Sequence, residues 1–480
     1  MNRPILRLYG LVALMFAVLV GFTSRWTVFE AASLRENPLN ARTLLEQERI
    51  FRGPVTAADG TVLARSVRGS EGIYQRIYPH GGEFAQAVGY YFTDPDLGSS
   101  GIERYRNSQL AGQSSEGNLQ SVLDQLQGKK PVGEKVITTL NARAQQVALT
   151  ALGQHEGAVV ALDPRSGAVT VMASNPSFDP NSLRSYRAYE RLTHDVAQRP
   201  LINRATQFGY APGSTFKILT ATAAIDTGAF TPLSALSGRN GIAVSGVPLD
   251  NDDGESYGQL TLTQALAKSV NTVWAQVAER LGKATLARYM QRFGFDRKPE
   301  LDYPSDEMSV SGEHVGEDVI APTSPQVDVG RMGIGQDKLE VTPLQMAEVA
   351  SAVADHGTLM VPHLMQRVVD SEGRTVEAFS PRVQSVVMKP STASAVTGMM
   401  EAVVQEGTGT TAQIPGVKVA GKTGTAETQF GTAINNVWFI AFAPAQNPTV
   451  AVAATLRGVP GQGATFAAPV AKAVIESLLG

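Results

Sequence analysis

Four short stretches of this sequence carry residue types at spacings that could do chemistry. Residues 416–423 satisfy the phosphate-binding pattern GxxxxGK[ST], and Gly254-Glu-Ser256-Tyr-Gly258 satisfies the nucleophile-elbow pattern GxSxG. Gly330-Arg-Met-Gly333-Ile-Gly335 is rich in glycine, and Pro212-Gly-Ser214-Thr-Phe-Lys217 sets a hydroxyl three residues before an amine. Each pattern needs its own backbone surroundings, and these separate the four. A phosphate loop needs a strand before it and a helix N-terminus directly after the lysine. Residues 417–420 themselves read as strand, and Gly424-Thr-Ala-Glu-Thr-Gln-Phe-Gly is a poor helix start, so this match is read as chance. An elbow serine needs a buried strand leading into it. Asp250-Asn-Asp-Asp precedes Ser256 instead and reads as a solvated turn. The glycine-rich run precedes Thr342-Pro343, an N-cap with proline at the first helical position, and reads as a loop between elements.

The fourth match has suitable surroundings. A helix is predicted to begin at Pro212-Gly-Ser214 and to run through Ile218-Leu-Thr-Ala-Thr-Ala-Ala-Ile to a stop at Gly228. It is apolar on nearly every face, which predicts burial. Ser214 and Lys217 then sit together on one face of the first turn. A lysine held away from water loses proton affinity and can act as a general base at neutral pH. The helix N-terminus offers free N–H groups to a developing oxyanion.

Two more elements complete a pattern. Ser269-Val-Asn271 lies between helical stretches 262–267 and 273–281. Positions i and i+2 do not share a helix face, so a short turn must aim both side chains. There the Ser269 hydroxyl can relay a proton and the Asn271 amide can hold a substrate carbonyl. Lys422-Thr423-Gly424-Thr425 ends a strand-like run. Gly424 permits close backbone approach by an edge strand docking an extended peptide. Lys422, Thr423 and Thr425 supply a cation and hydroxyls suited to a carboxylate. SxxK, then SxN 55 residues later, then KTG another 153 on, is a specific ordered triplet.

These residues need a scaffold, and the rest of the chain predicts one. Its 480 residues, 43% hydrophobic, suffice for two or three domains with substantial cores. Net charge is 41 − 44 = −3, and aromatic residues make up only 7%, so no basic or base-stacking surface for nucleic acid is expected. The absence of cysteine excludes disulfides, cysteine nucleophiles and cysteine-ligated metals. The six histidines are scattered without an HExxH pattern; no metal or cofactor is expected. Residues 8–22 are uncharged, and with their flanks reach about 20 residues, a bilayer core. Thr-Ser-Arg-Trp follows in place of a small-residue cleavage site, which predicts an uncleaved anchor. Arg3 and Arg7 precede the span and Arg25 and Arg35 follow it, a balance that leans only slightly towards a cytoplasmic N-terminus.

Further along, a hairpin is expected around Asp59-Gly60, a polar connector over 120–131 and a helix over 139–152. A second hairpin should span 157–174, followed late in the chain by strands at 436–443 and 449–456 and a closing helix at 467–478. Early and late strands with helices between them predict an α+β domain whose sheet joins both ends of the chain.

On its three motifs the sequence resembles the penicillin-recognising serine enzymes, and within them the class B penicillin-binding proteins. Arg52-Gly-Pro-Val-Thr-Ala-Ala-Asp-Gly looks like their membrane-proximal signature, and 101–112 like their pedestal motif. Ala161-Leu-Asp-Pro-Arg-Ser-Gly and Ala173-Ser-Asn-Pro look like parts of their transpeptidase domain. The short pedestal and the lack of a C-terminal extension are most similar to actinobacterial members. The resemblance implies an antiparallel sheet flanked by helices on a smaller pedestal, divided as 1–26 tail and anchor, 27–152 pedestal and 153–480 transpeptidase domain. It implies that Ser214 attacks the penultimate D-Ala of a peptidoglycan stem peptide, with Lys217 as base. Ser269 would pass the proton to the leaving amine, tuned by Lys422, while Asn271 orients the peptide amide. Thr423 and Thr425 would hold the terminal carboxylate, and the N–H groups of Ser214 and Thr425 would form the oxyanion hole. An acceptor amine would resolve the acyl-enzyme into a 3–4 cross-link, and β-lactams would stall it. The catalytic domain is expected outside the cytoplasmic membrane, with a polytopic membrane glycosyltransferase as partner. Hydrolytic relatives, a D,D-carboxypeptidase or a β-lactamase, would use the same triplet with water, and a non-catalytic penicillin sensor or scaffold would keep it without turnover.

Overall fold

The two predicted hairpin strands of the first half and the late apolar strands meet in one antiparallel sheet. In spatial order its strands are Ala420–Glu427, Ile434–Ala443, Val450–Pro460, Gly157–Leu162 and Val169–Asn175. The computed structural model describes residues 3–25, 48–69, 72–92, 98–113, 132–183, 185–427 and 434–480. The predicted 120–131 connector lies outside the described residues.

Both faces of the sheet are covered, which is why its inner strands read as unbroken apolar runs rather than as alternating patterns. Side chains nevertheless sort by parity, as the pleat requires. Val159, Ala161, Phe439, Ala441, Val452 and Ala454 pack under the helices Ala142–Leu152 and Gly463–Leu479. Val160, Leu162, Trp438, Ile440, Ala451 and Ala453 join the larger core containing Lys217–Asp226, Pro343–Ala354 and Pro390–Gln405. The helix Ala142–Leu152, which the sequence reading grouped with the pedestal, thus packs on this sheet.

A second sheet lies towards the N-terminus. Its order is Thr375–Ala378, Met365–Val369, Lys135–Thr138, Val55–Thr56, Val62–Arg68 and Tyr74–Ile77. The hairpin predicted around Asp59-Gly60 is present within it. Two of its six strands come from residues 365–378, about 230 residues after the others, and nothing in the sequence signalled that return. Behind the sheet, Glu103 is fully buried between Arg52 Nε at 2.7 Å and Arg76 Nε at 2.6 Å. This knot fastens the short helix Gly101–Tyr105 to the strands.

The helix Arg3–Ser24 stands apart from both sheets, with its apolar side chains exposed. Its 22 residues span about 33 Å, and it is the one helix among the described residues long and apolar enough to cross a membrane.

Candidate active site

The three motifs, far apart in sequence, converge on one cluster. Gly213–Phe216 forms a single 3₁₀ turn that runs into the α-helix Lys217–Asp226. The hydroxyl of Thr215 donates to Pro212 O at 2.8 Å and closes that turn. Gly213 has φ +52°, and a Cβ there would lie 2.6 Å from Thr425 O, so the chain can press the turn against the Ala420–Glu427 strand only with glycine. Gly424 lies opposite, against Pro212 O.

Ser269 occupies the turn between the helices Leu262–Ala267 and Asn271–Leu281 with φ +59°, a left-handed conformation that few non-glycine residues hold. That turn is how positions i and i+2 come to face one centre. The centre is the amine of Lys217. Its Nζ lies 2.8 Å from Ser214 Oγ, 2.7 Å from Ser269 O, 3.3 Å from Ser269 Oγ and 2.7 Å from Asn271 Oδ1. Two of these four oxygens, the Ser269 carbonyl and the Asn271 amide oxygen, can only accept. A neutral amine has two N–H bonds to give them and one lone pair left over. The lone pair is then available to the proton of Ser214.

Electrostatics favours that neutral form. Lys217 is completely buried, and desolvation pulls its pKa down to about 7 against a small opposing pull from Asp252. Lys422 is also completely buried, and desolvation together with the neighbouring Lys217 holds its pKa well below the usual lysine range. Among the described residues neither lysine has an ion-pair partner within 4 Å. Lys422 Nζ donates to Ser269 Oγ at 2.9 Å and to Thr423 O at 2.9 Å. Ser269 Oγ therefore bridges the two amines, in position to carry a proton between them.

Both ends of the Asn271 amide have partners within the chain. Its oxygen accepts from Lys217, and its Nδ2 donates to Asp250 O and Asp252 Oδ1, both at 3.2 Å. The side chain thus holds the Lys217 amine and ties it to the 250–252 loop, whose acidic sequence predicts only a solvated turn. Thr423 Oγ1 lies 2.6 Å from Thr408 Oγ1, and Thr425 Oγ1 accepts from Gly463 N at 3.3 Å. The Lys422–Thr425 segment lies inside the edge strand rather than at the end of one. That also rules out the phosphate loop, because no helix follows the lysine. Ser256 sits in the irregular stretch 255–258, away from any strand-to-helix elbow.

The glycine-rich run did not stay a neutral loop. After the short helix Val329–Met332, Gly335 O accepts from Gly213 N at 2.9 Å, and Gly333 O accepts from Thr220 Oγ1 at 2.7 Å. Gly335 has φ +78°, and a Cβ on it would come within 1.9 Å of Gly213 O. The run is the backstop of the turn that carries Ser214. Its high glycine content was the available signal; its partner could not be read from sequence.

An unpaired buried amine set between two hydroxyls, on an antiparallel sheet flanked by helices, can activate a serine for acyl transfer. The profile of the penicillin-binding protein transpeptidase domain matches residues 157–476, and that of the penicillin-binding protein A dimerisation domain matches residues 52–136. The chain belongs to the penicillin-binding protein transpeptidase family. It is 34% identical to the peptidoglycan D,D-transpeptidase PbpA of Mycolicibacterium smegmatis, over 100% of this chain and 99% of that protein. It is 30% identical to the peptidoglycan D,D-transpeptidase MrdA of Escherichia coli K12, over 81% and 69%. The structure of penicillin-binding protein A from M. tuberculosis as an imipenem acyl-enzyme complex is 32% identical, with a TM-score of 0.81 over 91% of this chain and 100% of that one.

Proposed function

We propose that this penicillin-binding protein is a peptidoglycan D,D-transpeptidase that works through an acyl-enzyme on Ser214. The observation that carries the reading is Lys217 Nζ at 2.8 Å from Ser214 Oγ, buried and without a counter-charge. The neutral amine takes the proton of Ser214 as its oxygen attacks the penultimate D-Ala carbonyl of a stem peptide. The bond to the terminal D-Ala breaks, and its nitrogen leaves with a proton passed through Ser269 Oγ. Lys422 biases that hydroxyl from its far side. The N–H groups of Ser214 and Thr425 receive the oxyanion, and Thr423 and Thr425 hold the terminal carboxylate. An acceptor amine then attacks the ester and restores Ser214. β-Lactams enter by the same attack and remain bound.

The apolar helix Arg3–Ser24 serves, on this reading, as a membrane anchor that leaves the catalytic sheet outside the cytoplasmic membrane. Arg3 and Arg7 at its N-terminal end support that orientation. A polytopic glycosyltransferase in the same membrane would supply the glycan strands to be cross-linked. The division into anchor, pedestal and catalytic unit is kept, with its second boundary moved ahead of Ala142 because that helix packs on the catalytic sheet.

The test is the intact mass of the full chain in detergent after incubation with benzylpenicillin, beside Ser214→Ala. A stable adduct on wild type alone is expected; no adduct on folded wild type overturns the acyl-enzyme. A D-Ala-D-Ala donor offered with an amine acceptor should yield the transfer product. Release of D-Ala by water alone would move the reading to a carboxypeptidase.

A further inference from the structure

Thr408 belongs to none of the three motifs. It sits half-buried in the loop that follows the helix Pro390–Gln405, and it touches two of the three motif-bearing segments. Its backbone N–H donates to Ala267 O at 3.0 Å, at the end of the helix that leads into Ser269. Its Oγ1 lies 2.6 Å from Thr423 Oγ1 on the edge strand.

The direction of that short hydrogen bond follows from counting protons. A threonine hydroxyl has one proton and two lone pairs. Among the described residues Thr423 Oγ1 has two hydrogen-bonding neighbours, Thr408 Oγ1 at 2.6 Å and Lys422 Nζ at 3.4 Å. The lysine contact is long, and the shorter bonds of that amine go to Ser269 Oγ and Thr423 O. A Thr423 hydroxyl that gives its proton to a substrate carboxylate must accept the short bond from Thr408. With the bond reversed, Thr423 would present only lone pairs to an anion.

We propose that Thr408 is a positioning residue that sets substrate specificity at the carboxylate end of the cleft: its hydroxyl donates to Thr423 and so turns the Thr423 proton towards the incoming carboxylate. The proposal rests on the reading of Thr423 as a carboxylate-binding residue of a Ser214 acyl-transfer enzyme. It concerns selectivity more than rate. The Thr408 hydroxyl strengthens binding of a leaving segment that carries a carboxylate and does nothing for one with no acceptor atom in its place.

The experiment uses the full chain in detergent and two D-alanyl thioesters, one with a carboxylate in its leaving group and the other with a methyl group in its place. Thr408→Val should lower kcat/KM for the carboxylate substrate by up to about tenfold, mostly through KM, the upper end of what one hydrogen bond between neutral groups contributes. The same variant should stay within about twofold of wild type on the methyl analogue, which offers the Thr423 proton no acceptor. Thr408→Ser should restore the wild-type ratio between the two substrates, and Thr408→Ala supplies the same ratio should the valine variant not fold. An equal fall on both substrates, an unchanged ratio, or a serine variant no better than valine overturns the proposal. A wild-type chain whose Ser214 is not acylated by either thioester, read by mass, overturns the underlying function and the proposal with it.

Discussion

The buried charges of the N-terminal sheet and those of the cleft are built in opposite ways. In the N-terminal sheet, Glu103 is held by Arg52 and Arg76 at 2.7 and 2.6 Å. Burial alone would raise its carboxyl, yet the guanidiniums of Arg76 and Arg52 outweigh burial and hold it below the usual carboxylate range. Glu103 thus stays ionised between its two partners, and the knot holds strands together. In the cleft, Lys217 and Lys422 are buried just as deeply with no carboxylate at contact, and both lose proton affinity. Burial is common to the two; pairing is the difference. Here the compensated cluster is structural, and the uncompensated one lies beside a serine it can activate.

The contrast can be broken from either side. The largest effect should come from Lys217→Met, which removes the base but fills the space. Acylation by benzylpenicillin should slow by about 10²–10⁴-fold, read by rapid-quench mass spectrometry with a melting curve to establish that folded protein is compared. Glu103→Gln should do the reverse. It leaves two guanidiniums buried without a counter-charge and should cost about 3–5 kcal/mol in denaturant unfolding, while the folded fraction acylates at close to the wild-type rate. Gly335→Ala should fall between these classes. Its new Cβ cannot fit 1.9 Å from Gly213 O, so the turn carrying Ser214 must shift. A displacement of about 1 Å there should slow acylation about 10²-fold.

The smallest effect concerns a buried titratable group that is neither ion-paired nor in the cleft. Glu348 is buried in the helix Pro343–Ala354 with one oxygen lacking a partner, and burial pushes its pKa up to about 8. The folded chain therefore keeps this proton over a range, from about 4.5 to 8, in which the unfolded chain has lost it. Its contribution to stability is present at low pH and declines as pH rises through that window. Glu348→Gln cannot ionise, so its melting temperature should gain on that of wild type as pH is raised from 5 to 8. A constant difference across that range would show that Glu348 is already ionised in the fold.

Much of the catalytic unit could be read from sequence because its signals are local. SxxK depends on one helical turn, and the inner strands announce themselves as runs such as Gly157-Ala-Val-Val-Ala-Leu and Val437-Trp-Phe-Ile-Ala-Phe. Residues whose meaning lies in a distant partner were not legible. Gly335 matters through Gly213, more than 100 residues earlier, and the strand Met365–Val369 matters through Lys135–Thr138. Asn271 was read as a substrate ligand because its amide is suited to one. Only the fold reveals that Lys217 and the 250–252 loop already engage both ends of that amide. Asp252, exposed and flanked by other acids, had no pattern to mark it as the one carboxylate acting on both lysines.

The central claim is that Lys217 is neutral at working pH because it is buried and unpaired. The most direct measurement is the rate of Ser214 acylation by benzylpenicillin between pH 5 and 9. The lysine must be deprotonated to accept the serine proton, so the rate should rise with pH through about 7 and level off above it. A rate that is flat across this range, or that falls as pH rises through 7, would contradict the account.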